Sequence, residues 1–218
     1  MGSKNLPIFP DAYIGDKASE YDSSKWMERN QKKTTIRTIE YLFDKKLGNI
    51  KFNPDDDLPF LILDLGCGSG FSSEILDEYG FRVIGIDILD DMLSKAAEKK
   101  SILKNKNINF ILADINNLPI KANSIHHIIS ISAYNFITHG KSSFNEKKKV
   151  VNNTAKYLNK ILKKQGRIII EFYPDSEKEL DLFSKSFILN GFNGYMIKNN
   201  PKQKSGQTFL LMKKDGNM

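Results

Sequence analysis

The chain has 218 residues, of which 40% are hydrophobic, and these values predict one domain over 1–218 with a single core. The single cysteine excludes an internal disulfide framework, and no apolar segment is long enough to span a bilayer. We therefore expect a cytoplasmic protein, or a nuclear or nucleolar one in a eukaryote. The formal net charge of +7 indicates an anionic partner such as RNA.

The N-terminal region contains one helical pattern. Residues 1–21 are polar with interspersed aromatics and predict an irregular arm, whereas apolar residues at helical spacing predict a helix over 26–43. This helix either packs against the first strand or covers a ligand, with basic residues such as Arg37 facing a substrate. The second alternative makes 1–45 an N-terminal arm and helix over the cofactor site. The acidic run 55–57 lacks accompanying metal ligands and predicts a solvated segment.

The most informative stretch predicts a strand, a glycine turn and a helix over 61–79. An apolar run ends at Asp64, and glycine then occupies every second position, at Gly66, Gly68 and Gly70. Glycine allows backbone conformations closed to other residues and leaves no Cβ between the main chain and a ligand. The spacing fits neither a dinucleotide fingerprint nor a phosphate-binding P-loop. The turn therefore predicts a cradle for a different nucleotide.

A second acid, Asp87, closes the next predicted strand, 82–86, and stands 21 positions after Gly66. A carboxylate at this place can accept hydrogen bonds from both hydroxyls of a ribose. Asp64, directly before the turn, would repel a pyrophosphate and attract an ammonium group. Together these residues indicate S-adenosylmethionine as the cofactor. Taken singly, they also fit a tight turn and a helix cap.

A third acid ends the next predicted strand, 107–113, which follows a predicted helix over 90–100. Asp114 is placed to meet the amino group of adenine, and Ile115 is placed to pack against its ring. Cys67 lies between two glycines with no general base nearby in the sequence, so we interpret it as a small residue tolerated in the cradle, not as a nucleophile.

The fourth predicted strand begins with His126 and His127. Adjacent residues of a strand point to opposite faces, so these side chains cannot easily converge on one metal ion, and we expect core or rim histidines and no metal site. Ser130 lies near the carboxyl end of this strand, the edge where open α/β sheets bind ligands, and is expected to line the methionine part of the cofactor. Beyond it, Tyr134 and Asn135 either present a surface that stacks a base or pack in the core.

The C-terminal third continues the alternation of helices and strands. It predicts a helix over 145–164 stopped by Gly166, a strand over 167–172, a helix over 176–190 and last strands over 194–197 and 208–212.

Segments spread along the chain resemble the class I S-adenosylmethionine-dependent methyltransferases that act on guanine N7 of small-subunit ribosomal RNA, a family with archaeal relatives. These segments are PDAY at 10–13, EYDSS at 20–24, TIR at 35–37, LDLGCGSG at 63–70, ISISA at 129–133, EFYP at 171–174 and GFNG at 191–194. The resemblance implies an α/β, Rossmann-like class I methyltransferase fold. Its sheet is mostly parallel and seven-stranded, with an antiparallel last strand and helices on both faces.

The resemblance also implies site residues. The candidate cofactor-binding residues are Tyr21, Asp64, Gly66, Cys67, Gly68, Asp87, Ile88, Met92, Asp114, Ile115 and Ser130. The candidate substrate contacts are Arg37, Tyr134 and Asn135. The chain departs from the family at His126, where aspartate is usual, and at 135–136, where glutamine and tryptophan are usual, so substrate placement is expected to differ.

The implied partners are ribosomal RNA or the small ribosomal subunit, and a small zinc-binding activator protein. The activator would add a strand to the sheet edge at 107–112, where Ile108, Phe110 and Leu112 alternate. Guanine N7 offers a lone pair and carries no proton, so transfer needs no general base, and no catalytic residue is assigned. The alternatives are a methyltransferase for a small metabolite and a ribosome-assembly factor whose methylation is dispensable.

Overall fold

The computed structural model describes residues 9–50, 59–103, 107–174, 176–199 and 207–215. Two segments with sequence predictions lie outside these residues: the start of the arm at 1–8 and the acidic run at 55–57.

Six α-helices, three short 3₁₀ helices at Asp11–Tyr13, Lys45–Leu47 and Tyr134–Thr138, and seven strands form the described part of the chain. The helices are α1 Asp16–Ser23, α2 Lys25–Leu42, α3 Phe71–Glu78, α4 Asp90–Leu103, α5 Phe144–Ile161 and α6 Glu177–Leu189. The strands are β1 Leu61–Leu65, β2 Arg82–Asp87, β3 Ile108–Leu112, β4 Ile125–Ile131, β5 Leu162–Phe172, β6 Phe192–Lys198 and β7 Thr208–Lys214. None of the described helices is both long enough and apolar enough to cross a membrane.

The strands form one sheet in the order β3-β2-β1-β4-β5-β7-β6. Strands β1 to β5 pair in parallel, whereas β7 is antiparallel to both of its neighbours. The chain moves outward to β3 and then returns to place β4 beside β1, so the order reverses between these two strands. Ligands bind open α/β sheets at the carboxyl side of such a point. The predicted fold is confirmed.

Two hydrophobic clusters cover the two faces of the sheet. On one face α5 and α6 pack on the sheet, with Leu158 and Phe183 among their buried side chains. On the other face α2 and α3 pack, with Ile39 and Leu76 buried. Every strand between β2 and β5 is therefore covered on both sides, which explains why β4 is apolar or buried along its whole length.

Two local predictions are wrong. The arm is not irregular up to residue 21, because α1 begins at Asp16. The helix predicted over 145–164 ends at Ile161, and β5 starts directly after it. Pairing between β4 and β5 jumps from Leu162 to Arg167, so the intervening residues form a bulge and not a last helical turn. A Cβ on Gly166 would lie 2.9 Å from the backbone carbonyl oxygen of Lys163, so this glycine is required by the bulge.

Candidate functional site

The glycine turn joins β1 to α3 at the carboxyl edge of the sheet. Gly66, Gly68 and Gly70 all have positive φ angles, of 70°, 55° and 87°. A Cβ on Gly66 would lie only 2.2 Å from the Cβ of Ala133, which follows β4. The turn therefore needs glycine both for its backbone conformation and for its close approach to the neighbouring strand.

Asp87, the last residue of β2, holds this turn through its carboxylate. Its Oδ2 accepts a hydrogen bond from the N–H of Gly68 at 2.9 Å, and its Oδ1 accepts one from the N–H of Leu89 at 2.9 Å. Burial raises the pKa of Asp87. Each carboxylate oxygen retains a further acceptor position, so Asp87 can orient the turn and still bind hydroxyl groups of a ligand.

A cavity of about 170 Å³ opens beyond the ends of these strands. It brings together five of the residues predicted from the sequence: Gly66, Asp87, Ile88, Asp114 and Ile115. Phe9, Phe136, His139 and Lys141 complete much of the opposite wall. An apolar cavity with carboxylates on one side is suited to a flat ring attached to a hydroxylated sugar.

Asp114 takes a different position from Asp87, although both line the cavity. It is exposed, and its Oδ1 accepts a hydrogen bond from the N–H of Asn116 at 2.8 Å in a tight turn. The half-buried Ile115 next to it packs against the main core cluster. This segment therefore offers a polar edge and an apolar surface together.

A second, smaller cavity of about 30 Å³ lies on the other side of the turn. Tyr21 of α1 and Gln31 of α2 line it together with Cys67 and Phe71. The ring of Tyr21 stacks on that of Phe71 at 6.2 Å between centroids. Tyr21 and Gln31 therefore lie beside the turn, and α2 also packs on the sheet through Ile39 and Leu42.

Lys99 of α4 connects α1 to the glycine turn. Its Nζ lies 2.6 Å from Asp22 Oδ1, 3.4 Å from Ser69 Oγ and 3.7 Å from the ring centroid of Phe71. One ammonium group thus connects α1, α4 and the glycine turn. Sequence reasoning missed this residue, because Asp22 and Lys99 are 77 positions apart and no local pattern links them.

Asp64 is fully buried at the end of β1. Its Oδ2 accepts hydrogen bonds from Ser72 Oγ at 2.6 Å and Ser73 Oγ at 2.7 Å, at the start of α3. Its Oδ1 has no hydrogen-bond partner within the described ranges, and burial raises the pKa of this carboxyl to about 6. This oxygen is buried and lies two residues before the glycine turn. A cationic group of a ligand could pair with it. The site therefore fits a cofactor that carries both a nucleoside and an ammonium group.

Three predicted cofactor residues lie elsewhere than expected or play another part. Ser130 is fully buried, donates from Oγ to the carbonyl of Leu65 at 2.8 Å and lines neither cavity. Its contact with the methionine part stays a prediction. Its neighbour Ile131 lines the small cavity instead, because successive strand residues face opposite sides. Met92 is buried, with its Cε 3.2 Å from where a Cβ of Gly68 would lie, and supports the turn. Cys67 lines the small cavity, and burial raises the pKa of its thiol, which disfavours a thiolate nucleophile.

The predicted substrate contact of Tyr134 is wrong. This side chain is fully buried, with ring centroids 5.6 Å from Phe183 and 5.7 Å from Phe187 of α6. The core alternative therefore holds. The adjacent Asn135 is half-buried, donates from Nδ2 to the carbonyl of Tyr173 at 3.4 Å, and leaves its Oδ1 without a partner in the described part of the chain.

Arg37 belongs to a polar cluster at the carboxyl end of β5. Its Nη1 donates to Gln207 Oε1 at 3.3 Å, and Gln207 Nε2 donates to Glu171 Oε1 at 3.4 Å. Glu171 is buried and also accepts from Ser132 Oγ at 2.6 Å. Sequence analysis missed Glu171 and Gln207 as members of this cluster, since they come from distant segments.

The paired histidines lie at the amino end of β4, away from the glycine turn. His126 Nδ1 accepts from the N–H of Leu61 at 3.0 Å, and His127 Nδ1 accepts from the N–H of Arg167 at 3.2 Å. Both are buried, and burial lowers the pKa of His127 to about 3. These are core histidines, as expected.

Comparison with known proteins gives a consistent result. A family model described as "Methyltransferase domain" matches residues 60–213. The 18S rRNA (guanine-N(7))-methyltransferase bud23 of Schizosaccharomyces pombe is 27% identical over 209 residues, which cover 95% of this chain and 72% of that protein. The 18S rRNA (guanine(1575)-N(7))-methyltransferase of Saccharomyces cerevisiae is 31% identical over 198 residues, which cover 89% of this chain and 66% of that protein.

Solved structures share the fold at lower identity. Magnesium protoporphyrin IX methyltransferase from Synechocystis, solved with bound SAM, has a TM-score of 0.65 at 18% identity and covers 94% of each chain. A chain from the complex between the Haloferax volcanii Trm112 methyltransferase activator and a methyltransferase has a TM-score of 0.58 at 14% identity, covering 92% of this chain and 98% of that one.

The raised pKa of Asp64 leads to a prediction about stability. Its pKa is 3.8 in the unfolded reference and about 6 in the fold, so the folded state binds the proton more tightly and stability falls as pH rises from about 4 to 6. The loss is up to about 3 kcal/mol, since one pKa unit corresponds to about 1.4 kcal/mol. Asp64→Asn removes the charge, so urea denaturation should show it to be more stable than the wild type near pH 7.

The difference between Asp64→Asn and the wild type should disappear below about pH 4, where both side chains are neutral. The exposed Asp90 provides the control, because Asp90→Asn should leave the free energy of unfolding within about 0.5 kcal/mol at both pH values. A destabilised Asp64→Asn variant near pH 7 would contradict this account of the buried carboxylate.

Proposed function

The chain belongs to the methyltransferase family, and from this premise we propose that it transfers a methyl group from S-adenosylmethionine to guanine N7 of small-subunit ribosomal RNA. The observation that carries the proposal is the cavity where the glycine turn, Asp87 and Asp114 converge at the carboxyl ends of three strands. The names of relatives that match most of the chain support guanine N7 of ribosomal RNA as the target.

The proposed cofactor contacts follow the two cavities. Asp87 accepts hydrogen bonds from the ribose, and Asp114 with Ile115 meets the adenine. The methionine part would extend from the larger cavity along the glycine turn toward Tyr21, and Asp64 would hold its ammonium group. In this proposal 1–218 is a single methyltransferase domain, and its 1–45 arm covers the cofactor.

The reaction requires little acid–base chemistry from the protein. The cofactor supplies a methyl group bonded to a positively charged sulfur. Guanine N7 carries a lone pair and no proton, so the protein must orient the base and exclude water. Tyr21 and Gln31 lie over the turn and would limit the access of water to the bound cofactor. Asn135, with its unpartnered Oδ1 among the described residues, and Arg37 are the proposed substrate contacts.

The activator proposal depends on the free edge of the sheet. Among the described residues β3 pairs only with β2, so its outer backbone groups are available to another strand. The expected alternation is wrong in one respect: Ile108 is buried and Phe110 half-buried against the protein's own core, and only Leu112 is exposed. We propose that a small zinc-binding activator adds a strand here. The Trm112 complex of a fold neighbour supports this idea.

Substitution of Asp87 tests the cofactor site. Asp87→Ala removes the proposed ribose acceptor, and calorimetry should show the affinity for S-adenosylmethionine reduced by at least about tenfold, or 1.4 kcal/mol. Asp90→Ala, three residues later on the exposed start of α4, should bind as the wild type does. Equal affinity of Asp87→Ala and wild type would refute the ribose assignment.

The substrate is tested by methyl transfer. Labelled S-adenosylmethionine is incubated with small ribosomal subunits from a strain lacking this protein, with and without the activator. We expect 7-methylguanine at one nucleotide of the RNA. Cofactor binding without transfer to RNA would instead favour a small-metabolite substrate or a role in ribosome assembly.

A further inference from the structure

The positive charge of this protein is concentrated in one segment. Residues 141–164 contain eight lysines and one acid, Glu146, which gives this segment a net charge of +7. The other 25 basic and 25 acidic residues of the chain cancel. The whole formal net charge of +7 is therefore carried by 24 consecutive residues.

Half of these lysines lie on one exposed helix surface. The inner side of α5 is buried in the core through Val151, Ala155 and Leu158, among others. Its outer side presents Lys148, Lys149, Lys156 and Lys160, which are all exposed; we call these four residues the α5 lysine face. Among the described residues none of the four forms an ion pair. The face extends for about 18 Å at 1.5 Å per residue.

This arrangement is unfavourable for the isolated helix. Lys156 and Lys160 are four residues apart, a spacing at which like charges destabilise a helix by a few tenths of a kcal/mol. The neighbouring α6 uses the same spacing for an attractive pair, with Lys185 Nζ 2.7 Å from Asp181 Oδ2. The packing of α5 needs only its inner side. Of the four lysines only Lys160, in the last turn, is favoured by the helix dipole.

The face is continuous with the proposed reaction site. Lys141, the first lysine of the segment, lines the cavity that contains Asp87. Two residues later Ser143 caps α5, accepting from the N–H of Glu146 at 3.2 Å in a capping box. The helix therefore starts beside the cavity and carries positive charge away from it.

We propose that the α5 lysine face binds the phosphate backbone of RNA and holds the substrate beside the cavity. The proposal rests on RNA being the substrate, as proposed above, and names the surface that binds it. An array about 18 Å long spans several phosphates of a strand, whose spacing in a duplex is about 3.4 Å along the axis. Backbone contacts of this kind position a nucleic acid without reading its sequence.

The exposed side of α5 favours RNA over an anionic membrane. Interfacial helices insert an apolar face among the lipids, and the apolar face of α5 is already buried in the core. Between the lysines the outer side has the polar Asn153. The one exposed aromatic side chain of α5, Phe144 at its start, is covered by Lys178, whose Nζ lies 4.3 Å from the ring centroid. The rest of this surface consists of lysine and asparagine, which can bind phosphates but offer no apolar face to insert.

The test compares two sets of four substitutions in the full-length protein. The first variant changes Lys148, Lys149, Lys156 and Lys160 to Gln. The control changes Lys25, Lys45, Lys95 and Lys100 to Gln, which removes the same charge from α2, the turn after it and α4. Binding is measured to polyuridylic acid, which contains no guanine, and to small ribosomal subunits, over a range of salt concentrations. Thermal unfolding and S-adenosylmethionine binding check that both variants fold.

The α5 variant should bind polyuridylic acid at least about tenfold more weakly than the wild type, and its slope of log K against log salt should fall by about three. Its melting temperature should be unchanged or higher, because like charges are removed. Its KM for ribosomal subunits should rise with little change in kcat. The control should differ much less in all these measurements.

Equal weakening in both variants would overturn the proposal, since it would show an effect of net charge alone. Binding to phosphatidylglycerol vesicles in preference to RNA would also overturn it. Normal subunit methylation by the α5 variant, with unchanged KM, would refute the proposed role of the α5 lysine face in RNA binding. It would not affect the proposed function. Loss of polyuridylic acid binding only in the α5 variant, together with no methyl transfer by the wild type, would refute the proposed function and leave the surface standing.

Discussion

The hydrogen bond from the N–H of Gly68 to the carboxylate of Asp87 is the contact on which the site depends. It joins the turn after β1 to the end of β2, and it can form only because parallel pairing brings both strand ends to one edge. On one side of this contact lies the larger cavity, and on the other the small cavity beneath Tyr21. Gly66, in close approach to Ala133, fixes the turn against β4.

Charged side chains have an unfavourable environment in two parts of the protein. Asp64 is buried with an oxygen that lacks a partner in the described structure, and the α5 lysine face places like charges next to each other. In each case a ligand of opposite charge would relieve the cost: the ammonium group of the cofactor at Asp64, and phosphates at α5. Such compensation would offset the cost of these features in the free protein.

The sequence predicted those features that are contained in short segments. The glycine turn, Asp87 and Asp114 were located correctly, because each follows an apolar strand and the parallel sheet brings such ends together. Tyr134 was ambiguous from sequence, since an aromatic after a strand fits a substrate surface and a core equally well. Its burial depends on Phe183 and Phe187, which come from a helix about 50 residues later.

Contacts between distant segments were beyond sequence reasoning. Lys99 has an ordinary place in a mixed-charge helix, and only the packing of α1 on α4 shows that it connects α1 to the glycine turn. The same holds for Arg37, Gln207 and Glu171, and for the bulge that ends α5 early. These features arise from the packing of distant helices and strands against each other. Such contacts leave no local periodic pattern in a single sequence.

The crystal structure of the complex with S-adenosylhomocysteine tests the central claim most directly. The account predicts that the ribose hydroxyls lie within hydrogen-bond distance of Asp87 and that the adenine lies beside Ile115. The α-amino group of the homocysteine part should lie near Asp64 Oδ1. A nucleoside bound away from the glycine turn, or a ribose without contact to Asp87, would contradict it.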